Sequence, residues 1–185
     1  MLDEIYRDTE DRMDKAIIAL KNDFNTIRTG RANPALLDRL TVDYYGVPTP
    51  IKQMANVSAP EPRLLVIQPW DKSVMSEVER AILKSDLGIT PNNDGALIRL
   101  AIPVLTQERR TELVKLAKKK AEDARVAVRN IRRDANELIK ELGKGGDISE
   151  DEEHRAQEHI QKITDQHVAK VDEVLAKKEE DIMEV

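Results

Sequence analysis

No cysteine occurs in the 185 residues of the chain, and its aromatic residues are limited to one Phe, one Trp and three Tyr. The lack of cysteine excludes disulfides, thiolate metal sites and cysteine nucleophiles. The shortage of aromatic rings leaves burial to aliphatic side chains and argues against modules that stack bases on rings. No run approaches the roughly 20 apolar residues of a membrane span, and the first residues do not resemble a signal peptide. We therefore expect a cytoplasmic protein without a membrane partner.

The motifs of common catalytic and metal sites are also missing. No Walker loop, no GxGxxG and no HExxH is present. The three histidines, at positions 154, 159 and 167, have spacings of five and eight, which scatter them around a helix. An acidic series that begins at Asp147 superficially resembles a calcium loop, but Glu152 stands where that loop requires glycine. We expect no catalytic residue, no metal and no cofactor.

Charge is unevenly distributed along a chain whose net charge is -5. From Gln107 to Arg133 there are ten basic and four acidic residues, a net charge of +6. From Asp147 onward, thirteen acidic residues face five basic ones, a net charge of -8. The sequence is therefore strongly polarised between a basic segment and an acidic one.

Three segments have apolar residues every three or four positions, which is typical of amphipathic helices. The first runs from Leu2 to Ile27, the second begins after Thr106 as a helix cap, and the third follows a capping box formed by Ser149 and Glu152. Gly30 and the glycines between residues 143 and 146 separate them. The stripe of the second helix is Leu113, Ala117, Ala121, Ala124, Val128, Ile131, Ala135, Leu138 and Leu142. Three such helices can bury their stripes against one another in a bundle.

The segment from Ala32 to Pro103 has a different character, with all eight prolines and several short β-rich runs. One helix is predicted from Ser73 to Ser85, and a hairpin turn from Asn92 to Gly95. We predict an α+β fold, an elongated three-helix bundle with an inserted small β/α/β domain on a two-strand hinge. The bundle would comprise residues 1–30 and 105–185, and the inserted domain residues 31–104.

A cluster of arginines lies in ARVAVRNIRRDAN, from Ala124 to Asn136. At about 100° per residue, Lys118, Arg125, Arg129 and Arg132 fall within about 60° of one another, with Arg133 just beyond. In one interpretation they pair with the acidic third helix in surface salt bridges, which contribute little individually. In the other they bind the phosphates of a folded RNA, because the planar guanidinium suits phosphate and further arginines end the first helix.

Six segments resemble the bacterial ribosome recycling factor family. They are IRTGRANPALLD (27–38), YYGVPTPI (44–51), SDLGITPNNDG (85–95), LTQERR (105–110), ARVAVRNIRRDAN (124–136) and ISEDE (148–152). The resemblance covers essentially the whole chain in order. It implies a three-helix bundle with an inserted domain on a flexible elbow, and a monomeric, non-enzymatic translation factor. With elongation factor G and GTP, such a factor splits the post-termination ribosome, releasing mRNA and deacylated tRNA.

By motif, the resemblance also implies roles for individual residues. The positions expected to contact large-subunit ribosomal RNA at the tRNA sites are Arg28, Arg31, Arg110, Arg129, Arg132 and Arg133, with Arg125 serving either RNA or an ion pair. The positions expected to form the hinge are Gly30, Arg31, Val104 and Leu105, where glycine permits unusual backbone angles. The alternatives are a hibernation or inhibitory factor that occupies the tRNA sites without splitting the ribosome, and a helical adaptor that does not bind RNA.

Overall fold

The computed structural model describes residues 1–184 and has an α+β fold. Within these residues the helices are α1 (Leu2–Asn25), α2 (Met75–Lys84), α3 (Gln107–Lys144) and α4 (Glu150–Met183). The strands are β1 (Thr41–Tyr44), β2 (Val47–Pro50), β3 (Ala55–Glu61), β4 (Leu64–Pro69), β5 (Asn92–Asn93) and β6 (Ile98–Ala101). The chain divides into two compact units. The first, called here the bundle unit, contains Met1–Phe24 and Val114–Glu180, and the second, the sheet unit, contains Asn25–Leu113 and the chain from Asp181.

The bundle unit is held together by apolar side chains from all three long helices. Its core contains Met13 from α1, Val128, Ile131, Ala135 and Ile139 from α3, and Ala156, Ile160 and Ile163 from α4. Most of the predicted α3 stripe is confirmed, but Leu138 is wrong because it is 48% exposed whereas Ile139 is fully buried. After Ala135 the next inward position lies four residues on, since 3.6 residues make one turn.

The predicted starts of α3 and α4 are confirmed by their caps, whereas α1 ends at Asn25, two residues before the predicted Ile27. Thr106 Oγ1 accepts a hydrogen bond from the Arg109 amide at 3.1 Å, at the start of α3. Before α4, the Ser149 hydroxyl accepts from the Glu152 amide at 3.1 Å, while the Glu152 carboxylate accepts from the Ser149 amide at 3.3 Å. Between the two helices Gly146 has φ 74°, a left-handed conformation that glycine adopts without strain.

The sheet unit has its own core. The antiparallel order β3-β4-β6-β5 places Leu65 opposite Leu100 and Ile67 opposite Ile98, all fully buried. Helix α2 adds the inward-facing residues Met75, Val78 and Ile82 to this core. The predicted helix from Ser73 is observed as a short 3₁₀ turn followed by α2. The predicted hairpin turn joins β5 to β6, with the Asp94 amide donating to the Leu97 carbonyl.

A second hairpin joins β1 to β2 through Tyr45 and Gly46, which both have positive φ, 51° and 84°. Two such residues match the twist of adjacent strands, but tyrosine is uncommon in this conformation. The Tyr45 hydroxyl lies within hydrogen-bonding distance of Asp71 and Ser73, at 3.0 and 3.1 Å. These contacts help to hold the strained turn.

Candidate nucleic-acid interface

The arginines of α3 lie beside the bundle core. Ala124, Val128 and Ile131 are buried, and each is followed by an arginine, Arg125, Arg129 and Arg132 respectively. Because successive residues are about 100° apart around a helix, these three side chains lie at the edge of the buried face of α3. All three are partly exposed, and each has a different kind of partner.

Arg125 joins α3 to α4. Its Nε and Nη2 donate to Asp172 Oδ1 at 3.0 and 2.6 Å, and its Nη1 donates to Glu122 at 3.1 Å. Its side chain is only 19% exposed. The hydrogen bonds to Asp172, opposed by burial, raise the pKa of Arg125 above its ordinary value. The ion-pair interpretation therefore fits Arg125.

Arg129 is paired within its own helix. Its Nη1 donates to Glu122 Oε1 at 3.1 Å, and its side chain is 43% exposed. The hydrogen bonds from Arg129 and then Arg125 hold the pKa of Glu122 below its ordinary value. Arg129 thus faces solvent with an acidic residue bound to one side of it.

Arg132 has a neutral partner. Its Nη1 donates to the side-chain oxygen of Gln161, on α4, at 3.2 Å. Neither Arg132 nor the exposed Arg133 forms an ion pair with a carboxylate of residues 1–184. Among the four arginines of ARVAVRNIRRDAN, the least neutralised positive charge therefore lies at Arg132 and Arg133. Guanidinium groups in this state suit phosphate oxygens.

The other predicted RNA-binding residues belong to the sheet unit. Arg28 Nη1 donates to the Leu87 carbonyl at 3.2 Å, and burial, followed by the charge of Arg109, lowers the pKa of Arg28. Arg31 is exposed and donates to Glu184 at 2.8 Å. Both side chains therefore already have partners.

Arg110 is the most buried of the predicted RNA-binding residues, at 8% exposure, and its Nε has no hydrogen-bond partner among the described residues. It lines a pocket of about 340 Å³ together with the predicted hinge residues Gly30, Arg31 and Val104. The fourth predicted hinge residue, Leu105, is buried. An unpaired buried donor costs free energy, so the Arg110 Nε is an unfavourable feature of the sheet unit.

The sequence did not reveal the partners of the arginines. Glu122, Gln161 and Asp172 are ordinary polar residues in a helical pattern. Asp172 lies 47 positions from Arg125 and Gln161 lies 29 positions from Arg132, so only the packing of α3 on α4 brings them together. The predicted ridge also included Lys118, whose Nζ is 4.0 Å from a Glu179 carboxylate oxygen.

Residues 1–184 offer neither a metal cluster nor a membrane-spanning helix. No cluster of three or more His, Cys, Asp or Glu side chains in this range is arranged to hold a metal ion. Among the same residues, no helix is both long enough and apolar enough to cross a membrane.

Comparisons with known proteins agree with one another. A family model described as "Ribosome recycling factor" matches residues 20–183. The chain is 63% identical over 185 residues to the ribosome-recycling factor of Heliobacterium modesticaldum, with 100% of both chains covered. A solution structure of a ribosome recycling factor has a TM-score of 0.78 and 43% identity, covering 100% of this chain and 98% of that chain. A further structure matches with a TM-score of 0.69 and 47% identity, covering both chains fully. It is described as models for the T. thermophilus ribosome recycling factor and the E. coli elongation factor G bound to the E. coli post-termination complex.

Proposed function

The chain belongs to the ribosome recycling factor family, and on that premise we propose that it splits the post-termination ribosome into subunits together with elongation factor G and GTP. Messenger RNA and deacylated tRNA leave as the subunits part. Ribosome recycling factors are translation factors and not enzymes, so the GTP hydrolysis belongs to the partner. The chain would act as a cytoplasmic monomer.

The bundle unit would bind large-subunit ribosomal RNA at the tRNA sites. The observation that carries this proposal is Arg132, which lies at the helix surface beside Arg133 with no carboxylate bound to it. Arg129 would add a third contact, in competition with Glu122. Arg28, Arg31 and Arg110 would contribute from the sheet unit. Contacts of this kind hold RNA by phosphate and shape.

The inserted domain, residues 31–104, would move on a hinge at Gly30, Arg31, Val104 and Leu105 relative to a bundle formed by residues 1–30 and 105–185. The separate core of the sheet unit supports this proposal, since all its buried members lie between Leu36 and Ile102. A cross-link that fixes the inserted domain to the bundle should abolish activity, and full activity would contradict the hinge.

The deciding experiment measures light scattering of post-termination ribosomes mixed with this protein, elongation factor G and GTP, with each component omitted in turn. We expect scattering to fall only when all are present. Binding of the protein without any fall would favour the factor that blocks the tRNA sites. No binding at all would leave a helical adaptor.

The RNA contact is tested with Arg132→Ala. We expect weaker binding to the large subunit, and a plot of log affinity against log salt concentration whose slope falls by roughly 0.7 to 1. The matched control is Arg155→Ala on α4, because Arg155 is exposed and has no hydrogen bond or ion pair with residues 1–184. Equal losses in the two variants, or no loss in either, would contradict a phosphate contact at Arg132.

A further inference from the structure

The three arginines beside the bundle core have equivalent positions on α3 but different partners. Arg125 donates to the Asp172 and Glu122 carboxylates, and Arg129 donates to Glu122. Arg132 donates to an amide, the side chain of Gln161. The difference matters because a carboxylate neutralises the guanidinium that it holds, whereas an amide does not.

The amide is itself held in place. Gln161 Oε1 accepts from Arg132 Nη1 at 3.2 Å, and Gln161 Nε2 donates to Asp165 Oδ1 at 2.8 Å. An amide presents an acceptor at one end and donors at the other. Because the ionised Asp165 only accepts hydrogen bonds, it fixes the NH₂ group toward itself and leaves the oxygen toward Arg132. The two hydrogen bonds that join Asp165, Gln161 and Arg132 are therefore compatible with a single orientation of the Gln161 amide.

Two effects on phosphate binding follow from this arrangement. One hydrogen bond restrains a long side chain that would otherwise lose conformational freedom on binding, so less entropy is lost when a phosphate arrives. The remaining donors of the guanidinium stay available for a planar, two-point contact with phosphate oxygens. A carboxylate at position 161 would give the same restraint, but the phosphate would have to compete with it.

We propose that Gln161 is the positioning residue for Arg132, holding its guanidinium toward an RNA phosphate while leaving its positive charge uncompensated. The proposal rests on the proposed function, because it requires Arg132 to contact RNA. It goes beyond that function in assigning a role on α4, the acidic helix, to a residue that carries no charge.

The test compares two substitutions at position 161 in the full chain, with the affinity for isolated large ribosomal subunits measured over a series of salt concentrations. Gln161→Glu keeps the size of the side chain and adds a charge beside Arg132. We expect affinity to fall about tenfold, as for loss of a charged contact, and the salt slope to fall by about 1. Gln161→Ala removes the restraint but no charge, so affinity should fall less and the slope should stay at the wild-type value.

Gln166→Glu is the matched control. Gln166 is exposed on α4, about 140° around the helix from Gln161, and its substitution changes the net charge by the same amount. We expect it to change affinity and slope much less than Gln161→Glu. In an Arg132→Ala background, Gln161→Glu should have no further effect on the slope. Thermal unfolding of each variant shows that a loss of binding does not come from a loss of fold.

The outcomes separate this proposal from the proposed function. If Arg132→Ala reduces affinity and slope while Gln161→Glu behaves like Gln166→Glu, the RNA contact stands and the positioning role is wrong. If Arg132→Ala changes neither quantity, both the contact and the positioning role are wrong. The positioning role would also be wrong if Gln161→Ala lowered the salt slope as much as Gln161→Glu does, because the added negative charge would then not be the cause of the lower slope.

Discussion

His167 shows how much a single buried polar residue depends on its partners. It is 1% exposed, with Nδ1 at 2.7 Å from the Ile163 carbonyl and Nε2 at 2.7 Å from Asp14 Oδ1. A carbonyl oxygen only accepts hydrogen bonds, so Nδ1 carries a proton. The ring thereby links α4 to α1 through Asp14.

Replacing His167 by alanine should destabilise the fold by about 3 kcal/mol, since it leaves a cavity and removes the hydrogen bonds to Asp14 and to the Ile163 carbonyl. Urea unfolding gives this difference directly. His154→Ala is the control, because His154 lies on the same helix with its side chain 74% exposed, and its cost should stay within about 0.5 kcal/mol. Similar losses for the two variants would show that the buried hydrogen bonds contribute little.

Asp94 is expected to make the stability of the sheet unit depend on pH. Its carboxylate accepts from the Leu97 amide at 2.8 Å and the Ala96 amide at 3.0 Å, and it pairs with Arg99. These bonds lower the pKa of Asp94 to about 2, the amides of Leu97 and Ala96 being the largest causes. A depressed pKa means that the ionised form stabilises the folded state. The contribution is complete above the ordinary value of 3.8 and is lost as pH falls toward 2.

An NMR titration of the Asp94 carboxyl group measures this shift. We expect a midpoint near 2 in the folded chain. Asp94→Asn keeps an oxygen that can accept from the two amides but cannot ionise, so the stability of this variant should lose the corresponding dependence on pH. A midpoint near 3.8 in the wild type would mean that the turn hydrogen bonds are not formed in solution.

At the scale of elements, α3 contains a carboxylate, Glu122, that would compete with an RNA phosphate for two of its arginines. Glu122 binds Arg129 at 3.1 Å and Arg125 at 3.1 Å, both within the helix. Glu122→Gln removes the negative charge but keeps an oxygen that accepts a hydrogen bond. We expect tighter binding to large subunits and a steeper salt slope, the opposite of the result expected for Gln161→Glu. The cost in stability should be small, because exposed ion pairs contribute little.

The same salt series used for Arg132→Ala measures this effect. Asp123→Asn provides the control, since Asp123 is the exposed neighbour of Glu122 and has no hydrogen bond or ion pair with residues 1–184. Weaker binding by Glu122→Gln would mean that Glu122 orients Arg129 for RNA and does not compete with it.

The elements themselves were largely predictable because their signals are local. The Thr106 cap, the Ser149 capping box and the hairpin turn after Asn93 each depend on residues within a few positions of one another. Local signals do not place every core residue. Ile139 occupies the core position predicted for Leu138, and because both residues are apolar, only packing decides which one points inward. Asp172 and Gln161, the α4 partners of Arg125 and Arg132, lie on another helix, so no local pattern distinguishes a carboxylate partner from an amide.

At the scale of the whole molecule, the chain carries a net charge of -5 and yet presents arginines on α3. The acidic surplus disfavours indiscriminate binding to RNA, while Arg132 and Arg133 keep a local positive charge that no carboxylate of residues 1–184 neutralises. The sequence left open whether the arginines of α3 form ion pairs with α4 or bind RNA phosphates. Within the bundle unit, Arg125 has the contacts expected of an ion pair, and Arg132 does not.

The core cluster described for the bundle unit and the one described for the sheet unit share no residue, which predicts that each can be weakened separately. Ile67 on β4 and Ile160 on α4 are both fully buried, one in each cluster. Replacing either by alanine should cost about 3 kcal/mol. We expect Ile67→Ala to speed hydrogen exchange in β3, β4 and β6 and to leave the amides of α4 protected, with Ile160→Ala giving the reverse. Equal loss of protection in both units from either substitution would show that they unfold as one. That result would also count against the hinge, because a domain that moves as a body needs a core that is stable without its neighbour.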